Sequence, residues 1–161
     1  MVHINIVCVG KVKESFSRDL INEYTKRLSK YCEIKVVELP DKKLPEKSSK
    51  ALEQQVIDEE SQQIMNYLGK SKSYNIALDL TGKQYTSEEF ASKIEDLQQI
   101  TSEINFIIGG SLGMNDELKN YCNEKICFSK MTFPHQLIRI FLLEQIFRAF
   151  KINNNETYHH W

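Results

Sequence analysis

Five short apolar runs alternate along this chain with segments of helical period. HINIVCVG (3–10), CEIKVVELP (32–40), YNIALDL (74–80), EINFIIGG (103–110) and KICFSK (125–130) are rich in β-branched residues and end at glycine, proline or polar turns, so they read as strands. The intervening segments have a different spacing. Phe16, Leu20, Tyr24, Leu28 and Tyr31 recur at steps of four and three, and Leu52, Val56, Ile64 and Tyr67 share one side of a second stretch, the stripe of an amphipathic helix. Thr86 followed by Glu89 predicts a capping box for a helix over 87–100, and TGKQ (81–84) a turn before it. A fourth helix begins near Asn115 and a fifth near Pro134. Strict alternation of strand and helix implies an α/β class, a mostly parallel sheet with helices on both faces.

At 161 residues the chain suits one domain, 1–161, with a self-sufficient core. No apolar run approaches the ~18 residues needed to cross a bilayer. The start, MVHINIVCVGKVKESF, lacks the basic head, long apolar core and small-residue cleavage site of a signal peptide, and a cytosolic location is expected. Cys8, Cys32, Cys122 and Cys127 form no C-x-x-C pair, which reads as reduced, buried thiols. A net charge of −1 argues against broad affinity for nucleic acid, yet the charge is unevenly spread. Basic and acidic residues number 11 against 7 over residues 1–50, 5 against 12 over 51–120, and 5 against 3 over 121–161. The two ends are basic and the middle is acidic, a pattern open to either a solvated surface or a polyanion-facing edge.

Open α/β sheets bind ligands beyond the C-terminal ends of their strands. Three such ends are chemically suggestive: Leu78 to Gly82, Gly109 to Gly113, and Phe128 to Phe133. The GGSLG loop is neither G-x-G-x-x-G after a first strand nor G-x-x-x-x-G-K-[ST], which disfavours an NAD or ATP site. The fifth helix has apolar residues on every side of its wheel. One face can cover the sheet, and another needs a second partner, such as a second copy of the chain. Glu144 and Arg148 stand four apart in the favourable order, either as a helix-stapling pair or as a site where arginine meets an anion. His135, at the helix entry, is open to capping or to chemistry. The tail, Tyr158-His159-His160-Trp161, is aromatic where chain ends are usually polar, which suggests docking.

Taken together, VGKVKE near the start, LDLTGK, FIIGG, the block SKMTFPHQLIRIFLLEQIFRAFKI and the tyrosine-histidine tail resemble the ribosomal RNA large subunit methyltransferase H family, within the SPOUT superfamily of α/β-knot methyltransferases. The resemblance covers the whole chain, and the SKMTFPHQ block is its most specific part. It implies a C-terminal third threaded as a deep trefoil knot, a homodimer, S-adenosyl-L-methionine as cofactor and no metal. The implied reaction is N3-methylation of a pseudouridine in the helix 69 stem-loop of 23S rRNA, on the assembled ribosome.

Carried over by position, Leu78, Gly109 and Gly110, with Phe128, Ser129, Lys130, Met131, Thr132 and Phe133, are the cofactor-binding residues that the resemblance implies. His159 is the expected general base, Tyr158 a stacking or hydrogen-bonding partner of the target base, and Arg148 a catalytic anion holder. Lys11, Lys13, Arg139 and His135 are expected to face RNA. Three positions depart from the family's pattern: Asn155 stands where glycine is common, Phe147 where tyrosine is common, and Trp161 extends the tail. Asparagine tolerates the left-handed turn that glycine would make. Other readings keep the fold and change the activity: a non-catalytic ribosome-associated dimer, or a methyltransferase acting on another RNA such as tRNA, or on a small molecule.

Overall fold

The computed structural model describes residues 1–160. Five strands, β1 (His3–Val9), β2 (Glu33–Leu39), β3 (Tyr74–Gln84), β4 (Glu103–Ile107) and β5 (Glu124–Cys127), alternate with five helices. These are α1 (Ser15–Leu28), α2 (Lys50–Leu68), α3 (Ser87–Ile100), α4 (Asp116–Tyr121) and α5 (His135–Asn153). All neighbouring strands are parallel, in the order β2-β1-β4-β3-β5.

Successive strand residues point to opposite faces, and the buried set divides accordingly. Ile4, Ile6, Ile104, Phe106 and Ile76 pack under α1, α3 and α5, against Ile21, Leu28, Phe90, Ile94, Leu142, Leu143 and Ile146. Val7, Val9, Ala77 and Ile107 pack under α2 and α4, against Ile64, Met65, Leu68 and Leu118. The sheet is therefore covered on both faces.

Caps mark the helix starts that the sequence announces. Thr86 and Glu89 form the full capping box of α3, Ser49 caps α2 through Leu52 N–H, and Asn115 caps α4 through Leu118 N–H; each supplies an acceptor to an otherwise unbonded first-turn amide. Asn155 has φ 55°, so the asparagine makes the left-handed turn into the tail. Phe147 is buried, edge-on to Tyr24, Tyr31 and Tyr158. The expectation for Trp161 lies outside the described residues.

The four cysteines are buried and free. Burial pushes the Cys8 and Cys32 thiols up to about 12 and that of Cys122 up to about 11, so these three stay protonated at neutral pH.

Two strand ends differ from expectation. TGKQ is not a free turn: β3 runs on to Gln84, and both Leu78 and Lys83 pair with Ile126, so Asp79 to Gly82 bulge out of the ladder. Gly82 permits this, because a Cβ there would lie 2.6 Å from the Ile126 backbone. β5 ends at Cys127, freeing 128–134 as a loop.

Register is pinned by a buried asparagine row, Asn5, Asn105 and Asn75, directly opposite one another on β1, β4 and β3. Asn5 Nδ2 donates to Asn105 Oδ1 at 2.8 Å, and Asn105 Nδ2 donates to Asn75 Oδ1 at 3.0 Å and to Ser73 Oγ at 2.8 Å. A one-residue slip would throw these amides to the opposite face and leave them unbonded. Asn105→Leu is expected to leave the Asn5 amide without its acceptor, while Asn75 Oδ1 keeps Ser73 Oγ, costing about 1–3 kcal/mol for the one orphaned group. Thermal unfolding should show the midpoint falling by roughly 2–12 °C.

Candidate active site

Beyond the C-terminal ends of β3, β4 and β5 the chain leaves a cleft of about 730 Å³, within the usual size of a cofactor site. Its walls come from three loops. Leu78, Asp79 and Leu80 come from the β3 bulge, Ile108 to Met114 from the glycine loop, and Cys127 to Ser129 and Met131 to His135 from the loop before α5.

Each loop is fixed by a local device. In the bulge, Thr81 donates both its hydroxyl and its N–H to the Asp79 carboxylate, which also pairs with Lys119 Nζ at 3.1 Å. Burial pushes the Asp79 carboxyl up, but the Thr81 and Lys119 bonds outweigh it and hold the acid below its ordinary range. A fixed Asp79–Lys119 ion pair therefore sits on the cleft wall. The glycine loop leans on α2: Asn115 N–H donates to Ser61 Oγ at 3.0 Å, and a Cβ on Gly110 would lie 2.7 Å from Glu60 Oε1. Glu60 is itself buried and accepts Lys42 N–H at 3.0 Å; burial pushes its carboxyl above the ordinary value despite that bond. In the third loop, Ser129 Oγ accepts Met131 N–H at 3.0 Å, and Cys127 Sγ donates to Ser129 O.

Of the residues expected at the cofactor, Leu78, Gly109, Gly110, Phe128, Ser129, Met131, Thr132 and Phe133 line this cleft; Lys130 does not. His135 lines it too, half-buried, with burial and then Arg139 holding its imidazole below the ordinary value and so neutral.

Arg139 lies elsewhere. It is fully buried, so it presents no face to RNA. Its guanidinium donates to Glu38 Oε2 at 2.9 Å and to the carbonyls of Val9 and Gly10 at 3.0 and 2.9 Å. It thus bolts α5 to the ends of β1 and β2. Lys11 and Lys13 are exposed on the β1–α1 connection, away from the cleft lining.

The three expected catalytic residues come together, but not at the cleft. Arg148 Nε and Nη2 donate to the two Glu144 oxygens at 3.2 and 2.9 Å, and Tyr158 O–H donates to Glu144 Oε2 at 2.8 Å. The Arg148 guanidinium also lies over the Tyr158 ring, 4.9 Å from its centroid. Burial, then the Glu144 bond, pushes the Tyr158 phenol up to about 12, so it is a donor and not a base at neutral pH. Arg148 Nη1 lies 3.1 Å from His159 Nδ1, whose other ring nitrogen lies 2.6 Å from Glu88 Oε1. Arginine can only donate, so Nδ1 carries the lone pair and Nε2 the proton.

Residue chemistry alone did not single out Glu60, Lys119, Met114 or Ile138, because their roles arise from contacts across the sheet. Asp79 carried a local signal, the D-x-T spacing of a side-chain turn.

A parallel α/β sheet with a glycine-edged cleft at its strand ends is the architecture in which α/β proteins hold ligands. The sequence model described as "Predicted SPOUT methyltransferase" matches residues 2–159. "Ribosomal RNA large subunit methyltransferase H" of Clostridium acetobutylicum is 48% identical over 159 residues, 98% of this chain and 99% of its own. The protein of the same name from Clostridium beijerinckii is 50% identical over 160 residues, with the same coverage of both chains. A "Putative ribosomal RNA large subunit methyltransferase H" of Methanococcus maripaludis is 46% identical over 159 residues, again covering 98% and 99%. The chain belongs to the SPOUT methyltransferase family and, within it, to the ribosomal RNA large subunit methyltransferase H family.

Among the described residues, no helix is long and apolar enough to cross a membrane.

Removing Arg139 leaves Glu38, a third exposed, without its cation and the Val9 and Gly10 carbonyls without this donor, at ~1–3 kcal/mol for each buried group left unbonded. Arg139→Met should show that loss in urea unfolding, whereas an RNA-contacting arginine would leave stability unchanged.

Proposed function

We propose that this protein is a homodimeric rRNA methyltransferase that carries a methyl group from S-adenosyl-L-methionine to N3 of a pseudouridine in the helix 69 stem-loop of 23S rRNA, on the assembled ribosome. The observation that carries the reading is the cleft itself, bounded by the same three loops that the family resemblance assigns to the cofactor. The fit to that cofactor is good. Leu78, Ile108, Leu112, Met114, Phe128, Phe133 and Ile138 offer apolar walls, while the loop backbones from Gly109 and Phe128 onward offer amides and carbonyls for a purine edge. Gly110 has no room for a side chain against Glu60, so the loop backbone itself faces the cleft. When bound, the cofactor supplies an electrophilic methyl on a sulfonium.

The protein's tasks are to align the acceptor nitrogen with that methyl and to take its proton. Alignment reaches ~7–11 kcal/mol in the best intramolecular cases, and a general base adds ~10²–10⁴-fold. His159, with its Nδ1 lone pair toward Arg148, becomes a base once Arg148 turns to the RNA or to the developing imide anion. Tyr158 keeps its proton and orients Glu144. In one chain this group stands apart from the cleft lining, so the tail serves the cleft of a partner subunit.

Two features support the assembly. Leu137 on α5 and Phe16 and Leu20 on α1 remain 42%, 72% and 42% exposed, apolar surface that a second copy can bury. α5 follows the edge strand β5 yet packs against both α3 and α1, a placement that supports threading of the C-terminal third as a knot. The even charge balance favours a ribosome over free RNA, since little counterion release is available.

Calorimetric titration with S-adenosylmethionine should give one site per chain, and tritiated methyl should appear in 23S rRNA of purified ribosomes. Absence of cofactor binding would exclude the enzyme reading. Deleting Tyr158 to Trp161 should leave cofactor binding intact and abolish transfer; unchanged turnover would remove Tyr158 and His159 from the mechanism.

A further inference from the structure

A second cavity, about 350 Å³, lies beside the cleft and shares with it a wall of Cys127, Phe128 and Phe133. Its lining combines aromatic rings, Tyr85, Phe90 and Phe141 among them, with the polar side chains Ser87, Glu144 and Gln145. Phe133 and Phe141 meet edge to face, 5.5 Å between centroids and 80° between planes, and both are partly exposed. Aromatic walls with a few placed polar groups are how proteins hold a base taken out of its stack.

The amide of Gln145 is held at both ends. Ser87 O–H donates to Gln145 Oε1 at 2.8 Å, and Gln145 Nε2 donates to Glu144 Oε1 at 3.1 Å. Each amide atom thereby keeps one unused capacity, a lone pair on Oε1 and an N–H on Nε2. The amide cannot turn over. Arg148 and Tyr158 both donate to Glu144, whose oxygens are thus used as acceptors, so the amide nitrogen must face it.

We propose that this cavity receives the acceptor base, and that Gln145 reads it as an imide, accepting a ring N–H and donating to the adjacent carbonyl. The proposal rests on the methyltransferase reading above and adds the acceptor subsite. In the same placement cytosine and adenine set a ring-nitrogen lone pair against Oε1 and an amino N–H against Nε2, so the locked amide does not pair with them there. Uridine offers the right edge only through N3, the atom that must stay free for transfer. Pseudouridine, joined to ribose through carbon, has a second such edge at N1–H and C2=O. Held there, it leaves N3 unpaired, in a cavity that shares Cys127, Phe128 and Phe133 with the cleft. Glu144 thus has two tasks: the carboxylate that anchors Arg148 and Tyr158, whose tail serves the partner's cleft, also sets the orientation of the amide that reads the base beside its own cleft.

The test compares wild type with Gln145→Leu, which keeps the volume and loses the amide, and Gln145→Glu, which keeps the length and loses the donor. Substrates are large ribosomal subunits carrying either pseudouridine or uridine at the target position. Expected for both variants are an S-adenosylmethionine Kd within about twofold of wild type and an unchanged mass by light scattering. On pseudouridine, kcat/KM should fall about ten- to hundredfold, the range of one bidentate base contact. The preference for pseudouridine over uridine should shrink by a similar factor. Transfer at the wild-type rate, or an undiminished preference, would overturn the base subsite while leaving the methyltransferase reading intact. A parallel loss of cofactor affinity would assign the cavity to the cofactor, and a change in mass would assign it to a second copy of the chain; either refutes the proposal. Wild type that binds cofactor and methylates neither substrate would remove the reading on which the proposal rests.

Discussion

The buried guanidinium of Arg139 is the point on which the arrangement of this molecule turns. α5 is almost wholly apolar, and apolar packing alone leaves such a helix free to slide or rotate by a turn at small cost, because hydrophobic burial is not directional. A guanidinium has directions. Three of its contacts, to Glu38 and to the carbonyls of Val9 and Gly10, are satisfied in one setting of α5 against the strand ends, and any other strands a charge in the interior. Because Arg139 lies one turn into α5, its seating also sets where Pro134 and His135 stand, and with them the loop 128–134 that walls the cleft.

The cleft is accordingly a place where three independently fixed loops meet. The bulge is held by Asp79 with Thr81 and Lys119, the glycine loop by Ser61 and Glu60 from α2, and the third loop by Arg139 through α5. Each loop is held by contacts within the chain itself, so the cavity is preformed. Preformation lowers the ordering cost of binding and favours precise alignment of two substrates. The same economy appears at Glu144, one carboxylate whose four acceptor contacts tie together Arg148, Tyr158 and Gln145.

Much of this was legible beforehand. Strand and helix order, the capping box at Thr86 and the left-handed turn at Asn155 are local matters, decided within a few residues by periodicity and backbone sterics. Most of the residues that line the cleft were legible as well, since strand ends in a parallel sheet point to one edge. Arg139 was not: an arginine on a helix wheel looks alike whether it meets phosphate or carbonyls, and its carboxylate partner is 101 residues away. TGKQ looked like a turn, and its continuation as strand required β5 to cross Gly82 at close range.

The sequence by itself determined the class, the sheet's two-sided burial and the chemical content of the strand-end loops, because these follow from side-chain period and from residue type. The tertiary structure alone decided which polar groups are spent on holding the fold and which are left for chemistry. Arg139 is consumed by Glu38 and two carbonyls, whereas Gln145, fixed by a serine 58 residues away, keeps a donor and an acceptor in reserve. The physical reason is that a hydrogen-bonding group is committed by the partner it meets, and that partner is chosen by how the chain folds back on itself.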